Sequence, residues 1–270
     1  MEEHNHLELV LAKEPKTAFK KWLFFGVLVL LTVLSFQYIK FNAINEAGIK
    51  IAQNILKNFI DANWSMLFDF TSKSGVPFLL FETIAIAIVG TILGAIISLP
   101  LAFISSRNIT KKWSIVGVIL ITLIRCIPSL VYVLVFVKVA LGAVAGILTF
   151  AVTSIGMISK LYIEAIEQLD PGVLEALDSS GCNMYQKIMY GIIPQLKSNF
   201  LSTILYRFEI NIKNATVLGM VGAGGIGAEL MLAMSNYRWN DAATIIIGII
   251  ILVLVIENFS AKLRHKLIHG

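Results

Sequence analysis

Six stretches of this chain run nearly free of charge for roughly 20 residues at a time, the length a helix needs to cross a bilayer's hydrocarbon core. They cover 22–39, 78–104, 114–137, 139–158, 198–221 and 243–260. In lipid every backbone N–H and C=O has to be satisfied within its own segment, so runs of this length are expected to be α-helices. Composition agrees: 57% of residues are hydrophobic and 14% charged, against roughly 25% charged in soluble domains. Mean hydropathy is +0.81. The expected fold is an all-α integral membrane protein, a six-helix polytopic bundle. The second run is longer than a bilayer requires and is expected to tilt or project beyond it.

The net charge of +5 does not point to nucleic acid, because the basic residues gather at the ends of the apolar runs. That is the positive-inside pattern. With the N-terminus placed in the cytoplasm, thirteen Lys and Arg fall inside and six outside; Arg125, Arg207 and Lys213 stay within spans. Both termini are therefore expected in the cytoplasm. The organisation that follows is a cytoplasmic tail over 1–21, a first helix over 22–39, an external segment over 40–77, a core over 78–260 and a basic tail over 261–270. Lys13 to Lys21 followed by an apolar run imitates a secretory signal, but no small-x-small cleavage site follows, so a retained helix is expected. In the external segment Ile44, Ile51, Ile55 and Phe59 recur at helical spacing opposite Lys50, Gln53, Asn54 and Lys57, which suits a helix lying on the interface with Trp64 as anchor. Cys126 and Cys182 sit in unlike surroundings and suggest no bridge. Gly90, Gly94 and Ser98, and Gly142 and Gly146, recur four apart and are expected to let helices approach closely.

The largest polar interruption is the cytoplasmic loop 160–195. Asp170-Pro171 reads as an N-cap and first turn, with Val173, Leu174 and Leu177 as the apolar stripe of a short helix. Gly181 supplies a turn, and Met184, Ile188 and Ile192 line a second short helix. Such a hairpin either lies on the inner leaflet or docks into a groove of a cytoplasmic partner.

Charges inside spans carry more information, since each costs about 2.5–3.5 kcal/mol at mid-bilayer on insertion scales. Arg125 lies in the third run, just before a helix-kinking Pro128. The fifth run holds Arg207, Glu209, Asn211, Lys213 and Asn214; Glu209 and Lys213 are spaced to neutralise each other. Either Arg125 or Arg207 pairs with Glu209 and fastens helices, or one of them faces a pathway and favours a passing oxyanion. Gly222, Gly224, Gly225 and Gly227 spell G-x-G-x-x-G with Asp241 downstream, but no βαβ context surrounds them, so a break or gate near the outer face is expected rather than a dinucleotide site. His4, His6, His265 and His269 lie in tails without further ligands, so no metal is expected. No phosphate-cradling G-x-x-x-x-G-K-[ST] occurs and no nucleophile–base pair stands out, so the chain is not expected to be an enzyme, and any ATPase has to be another polypeptide.

The loop resembles the one written E-A-A, three residues, G, nine residues, I-x-L-P in permeases of ATP-binding-cassette importers. Here it reads Glu175-Ala176-Leu177, then Gly181, then Ile193-Pro194 in register. Leu177 replaces an alanine, Gly191 stands where isoleucine is usual, and Ile193 replaces leucine. Arg125-Cys-Ile-Pro128, Lys160-Leu-Tyr-Ile-Glu164, Leu205-Tyr-Arg-Phe-Glu-Ile-Asn211 and Thr216 to Gly227 resemble the phosphonate-type branch, and the likeness runs from about residue 60 to the C-terminus. The resemblance implies a five-helix core preceded by an accessory helix, and import of phosphonate or a related phosphorus oxyanion. It implies a second permease copy, an external binding protein, and cytoplasmic ATPases that hold ATP and Mg; the permease itself carries no cofactor. The loop would receive the ATPase stroke, with Leu177 as its apolar knob. Phosphate, phosphite or methionine are alternative cargoes. An ion-gradient-driven anion transporter is the alternative from another class, and it predicts inverted repeats that the chain lacks.

Overall fold

The computed structural model describes residues 18–38, 46–58 and 61–269, in which every regular element is a helix. They fall into two compact units, 1–53 and 54–270. In the first, α1 (Ala18–Tyr38) is apolar around its whole circumference and exposes its side chains from Lys20 to Gln37. Such a helix suits lipid rather than water. Its hydroxyls return to its own backbone, Thr32 to the Leu28 carbonyl and Ser35 to that of Leu31, both at 2.8 Å. Helix α2 (Glu46–Asn58) covers most of the amphipathic stretch and exposes Ile51 as well as Lys50, Gln53, Asn54 and Lys57. Ile44 and Phe59 of that stretch, and His4 and His6, lie outside the described residues.

The second unit contains α3 (Trp64–Leu67), α4 (Val76–Ser105), α5 (Ser114–Cys126), α6 (Ser129–Val139), α7 (Ala143–Glu167), α8 (Pro171–Ser179), α9 (Met184–Ala223), α10 (Ile226–Ser235) and α11 (Trp239–His269). Among the described residues four helices are long and apolar enough to cross a membrane, or six if each of two bent pairs is one span. The third apolar run departs from a straight span. Arg107–Cys126 and Ser129–Val139 meet at 82°. Pro128 has no N–H to continue the ladder, and Ile127 before it is extended (φ −88°, ψ 122°), as a residue preceding proline tends to be. The second short helix expected after Gly181 is likewise not separate. It is the start of α9, which runs unbroken into the fifth span, with a wide π turn over Lys187–Ile192 directly ahead of Pro194.

Close packing of α4 on α7 organises the interior. A Cβ on Gly90 would come within 2.5 Å of the Phe150 Cβ, and one on Gly94 within 2.5 Å of the Ser154 Cβ. A Cβ on Gly146 would meet the Ala223 carbonyl oxygen at 2.8 Å and Ile86 Cγ2 at 2.9 Å, whereas Gly142 meets nothing and opens α7. Buried hydroxyls on these helices return to the preceding turn: Thr91 to Ala87 at 2.6 Å, Ser98 to Gly94 at 2.6 Å and Thr149 to Ala145 at 2.7 Å. Apolar clusters centre on Ile158, Tyr162 and Phe200; on Phe150, Ile212 and Leu218; and on Val76, Ile226 and Ile245. The loop before α4 is tied to α11, as the Asn63 N–H donates to Thr244 Oγ1 at 2.8 Å and its side-chain amide to Asp241 at 3.0 Å.

Candidate functional site: hairpin, cation cavity and glycine break

The hairpin of α8 and the start of α9 is closed by local chemistry. Asp170 caps α8, accepting from the Gly172 N–H at 2.9 Å. At the other end Gly181 takes φ +76°, a backbone that glycine adopts without strain. There the Gly181 N–H bonds the Asp178 carbonyl at 2.9 Å and the Cys182 N–H that of Leu177 at 3.0 Å, a Schellman closure. Asn183 and Gln186 form a reciprocal capping box at 2.9 and 2.8 Å. Lys187 pairs with Asp178 across the turn. Leu177 is turned inward: its Cδ1 would lie 2.4 Å from a Cβ on Gly191. Glu175, Ala176 and Pro194 are exposed and Ile193 half-buried, while Tyr185 and Tyr190 stand 69% and 77% exposed on the hairpin's outer surface.

From this hairpin α9 passes into the bundle carrying the charged residues. Arg207 is 7% exposed. Its Nε donates to Ser154 Oγ at 3.0 Å, an Nη to Thr153 Oγ1 at 2.8 Å and another to the Met157 sulfur at 3.2 Å. Asn211, fully buried, donates to Thr91 Oγ1 at 2.8 Å and to the same Ser154 at 3.0 Å. Glu209 faces elsewhere. It meets Lys213 at 2.9 Å and Arg264 at 3.2 Å, and Lys213 reaches Glu257 at 3.3 Å. The expected pairing of Arg125 or Arg207 with Glu209 is therefore not formed, and no carboxylate lies within 4.0 Å of either arginine among the described residues. Both arginines, Pro128 and Asn214 line one cavity of about 320 Å³ at the bend of the third run.

The glycine break ends α9. Gly222, Gly224 and Gly225 take φ of +105°, +76° and +68°, and α10 leaves at 60° to α9. Gly227 permits the close return, since a Cβ there would lie 2.0 Å from the Thr216 carbonyl oxygen. The Ile226 N–H donates to Thr83 Oγ1 on α4 at 2.9 Å, anchoring the break. Asp241, read as the tempting acid downstream, is instead held by Arg238 at 3.0 Å, which also binds Glu229 at 2.9 Å. His265 lies in α11, and no cluster of three metal-ligating side chains occurs among the described residues.

Sequence reasoning missed Glu82, Glu257 and Arg264. Glu82 is half-buried on α4, its Oε1 3.2 Å from where a Gly224 Cβ would sit. A lone acid inside the apolar run 78–104 was the available signal. Glu257 sits at the end of the last run and Arg264 in the basic tail beyond it, where nothing local ties them to Glu209.

Comparison with known proteins fits this geometry. Residues 98–263 match the family described as binding-protein-dependent transport system inner membrane component. A phosphite transport system permease of Stutzerimonas stutzeri is 36% identical over 188 residues, 68% of either chain. A phosphate-import permease of Mycolicibacterium smegmatis is 35% identical over 72% of this chain but only 37% of its own length. Among solved structures, an inward-facing methionine ABC transporter aligns with TM-score 0.61 at 19% identity, covering 70% of this chain and 94% of that one. An amino acid ABC transporter aligns at 0.59 and 21%, covering 73% and 98%. At such identities the structures attest the fold alone. Taken with the hairpin motif and the bundle, these matches place the chain among the phosphonate-type ABC importer permeases, inner-membrane components of binding-protein-dependent transport systems.

Proposed function

We propose that this chain is the translocating subunit of an ATP-driven importer for phosphonate or a related small phosphorus oxyanion. The observation that carries the reading is the continuity of α9, which runs helically from the hairpin at Met184 to Val221, where Gly222 opens the glycine break, with buried Arg207 between them. A push on the hairpin is thereby delivered to both the cation and the break. Relatives that import phosphite and phosphate support the cargo class.

In this reading two copies surround one pathway, both termini are cytoplasmic, and α1 is an accessory helix. Cytoplasmic ATPases holding ATP and Mg engage the hairpins around Glu175, Gly181 and Pro194, and an external binding protein delivers the cargo. ATP binding draws the hairpins together and opens the pathway outward; hydrolysis resets it. The glycines 222–227 form the outer gate, and Arg125 or Arg207 faces the passing anion.

The test is ATP hydrolysis by the chain reconstituted with its ATPase and binding protein, adding methylphosphonate, phosphite, phosphate or methionine in turn. Stimulation by a phosphorus oxyanion is expected. Stimulation by methionine alone would change the cargo, and solute movement by this chain alone under an ion gradient would overturn the importer reading.

A further inference from the structure

We propose that the bend in the third span is an oxyanion-binding site within the permease itself, built from Arg125, Arg207, Asn214 and the amino end of α6. The proposal rests on the importer reading and assigns its cargo a place in this chain.

The first observation is an uncompensated buried charge. Arg207 is 7% exposed and its partners are two hydroxyls and a thioether, all neutral. A guanidinium removed from water without a counter-charge is costly, so such a site favours an arriving anion. Three of its five N–H groups are used by these partners, and two remain to donate. The hydroxyls hold the plane of the fork in place, so a ligand need not order it first.

The second observation is a second unpaired cation on the same cavity. The stem of Arg125 lies on α7, its Cγ 2.7 Å from where a Gly156 Cβ would be, and its head has no carboxylate within 4.0 Å among the described residues. No acidic residue lines the cavity. Two guanidiniums thus face about 320 Å³ with nothing negative beside them.

The third observation comes from the break. Because Pro128 ends α5, α6 starts afresh at the bend and runs over eleven residues. The Val131 and Tyr132 amides turn back to the Pro128 carbonyl at 3.0 and 3.4 Å, while Ser129 and Leu130 have no preceding turn to bond. Pro128 and Ser129 line the cavity, so the positive end of the α6 dipole adds to the two arginines. A broken membrane helix whose amino end meets an anion is a recurrent physical solution in transporters.

The ligand chemistry follows. Planar forks and amide donors suit a tetrahedral phosphorus oxyanion, which presents several acceptor oxygens. A zwitterion such as methionine brings an ammonium that both arginines repel.

The full chain in lipid nanodiscs with its ATPase, and without binding protein, is titrated with methylphosphonate by calorimetry. Saturable binding is expected, weakened about tenfold or more by Arg125→Gln and by Arg207→Gln, unchanged by Lys112→Gln and not competed by methionine. If Arg207→Gln does not assemble, Arg125→Gln decides, because Arg125 is exposed. Wild-type protein that binds no methylphosphonate, or arginine variants with unaltered affinity, would overturn the site. Substrate-stimulated hydrolysis measured on the same complex with binding protein added separates the two claims. Stimulation without direct binding removes the site and leaves the importer standing, whereas loss of both removes the importer reading as well.

Discussion

Replacing Gly191 by isoleucine would crowd the hairpin of α8 and α9 at one defined point. Gly191 does not adopt a left-handed backbone, so size is the only objection to a side chain there. An ideal Cβ would lie 2.4 Å from Leu177 Cδ1, and normal carbon contact needs about 3.5–4.0 Å. Leu177 therefore has to retreat by roughly 1.1–1.6 Å or rotate out. Overpacking of this kind costs about 1–3 kcal/mol, and the low end applies because Leu177 is only half-buried. Leu177→Ala alone should cost about 1 kcal/mol, part of the ~1.5–3 kcal/mol that full burial of a leucine contributes. The double variant Leu177→Ala/Gly191→Ile exchanges the two volumes and restores the pattern usual in these importers. Each single variant is expected to reach the membrane yet lose most binding-protein-stimulated ATP hydrolysis, while the double variant regains at least half. A double-mutant cycle should give an interaction of about 1 kcal/mol or more, with the sign of rescue. If the two losses simply add, Leu177 and Gly191 do not act as a matched pair and the argument fails.

Further expectations follow from the same geometry. Glu209→Gln should lower the thermal stability of the detergent-solubilised protein far more than Glu257→Gln, because the Glu209 side chain is 8% exposed between two cations and that of Glu257 is 52% exposed. The two cations are themselves 41% and 25% exposed, so losing their shared carboxylate should cost about 1–3 kcal/mol, against about 1 or less for exposed Glu257; equal shifts would contradict this. Gly224→Val forces a branched side chain onto a φ of +76°, with its Cβ 2.8 Å from the Ala143 nitrogen, and should abolish uptake while the complex still assembles. Wild-type uptake would remove the gate assignment. Outside the spans, hydrogen bonds from the Thr71 side chain and backbone, and from the Ser72 backbone, hold the Asp69 carboxyl below its usual range. The stabilisation is fully present above the unfolded value of about 3.9 and is lost as pH falls through the lower folded value. Amide exchange at Thr71 and Ser72 should therefore quicken at acid pH relative to the intrinsic rate, and Asp69→Asn should remove that dependence; equal responses in both proteins would refute it.

Where a feature depends on near neighbours in the chain, the residues announce it. The apolar runs follow from length and composition, and Asp170-Pro171 and Gly181 bound α8 through bonds made within a few residues. Pro128 marks a break for the same reason, since the missing N–H is its own. Spacing alone also brings Lys213 to Glu209, one helical turn away.

Pairing between helices was not written locally. Glu209 has Lys213 beside it in sequence, but its second cation, Arg264, arrives from α11. That leaves Arg207 without an acid, and two hydroxyls of α7 receive it instead. Ser154 also sits against bare Gly94 of α4, so three helices meet at this point. Hydrophobic length, caps and turns are short-range properties, so the membrane bundle, the Asp170 and Gly181 ends of α8 and the importer family were legible in the residues. Packing of the whole bundle settled the inward turn of Leu177 onto Gly191 and the joining of Arg125 with Arg207, and it set at 82° a break that Pro128 had marked. Each of these depends on which helix faces which, and that is settled only when the whole bundle packs.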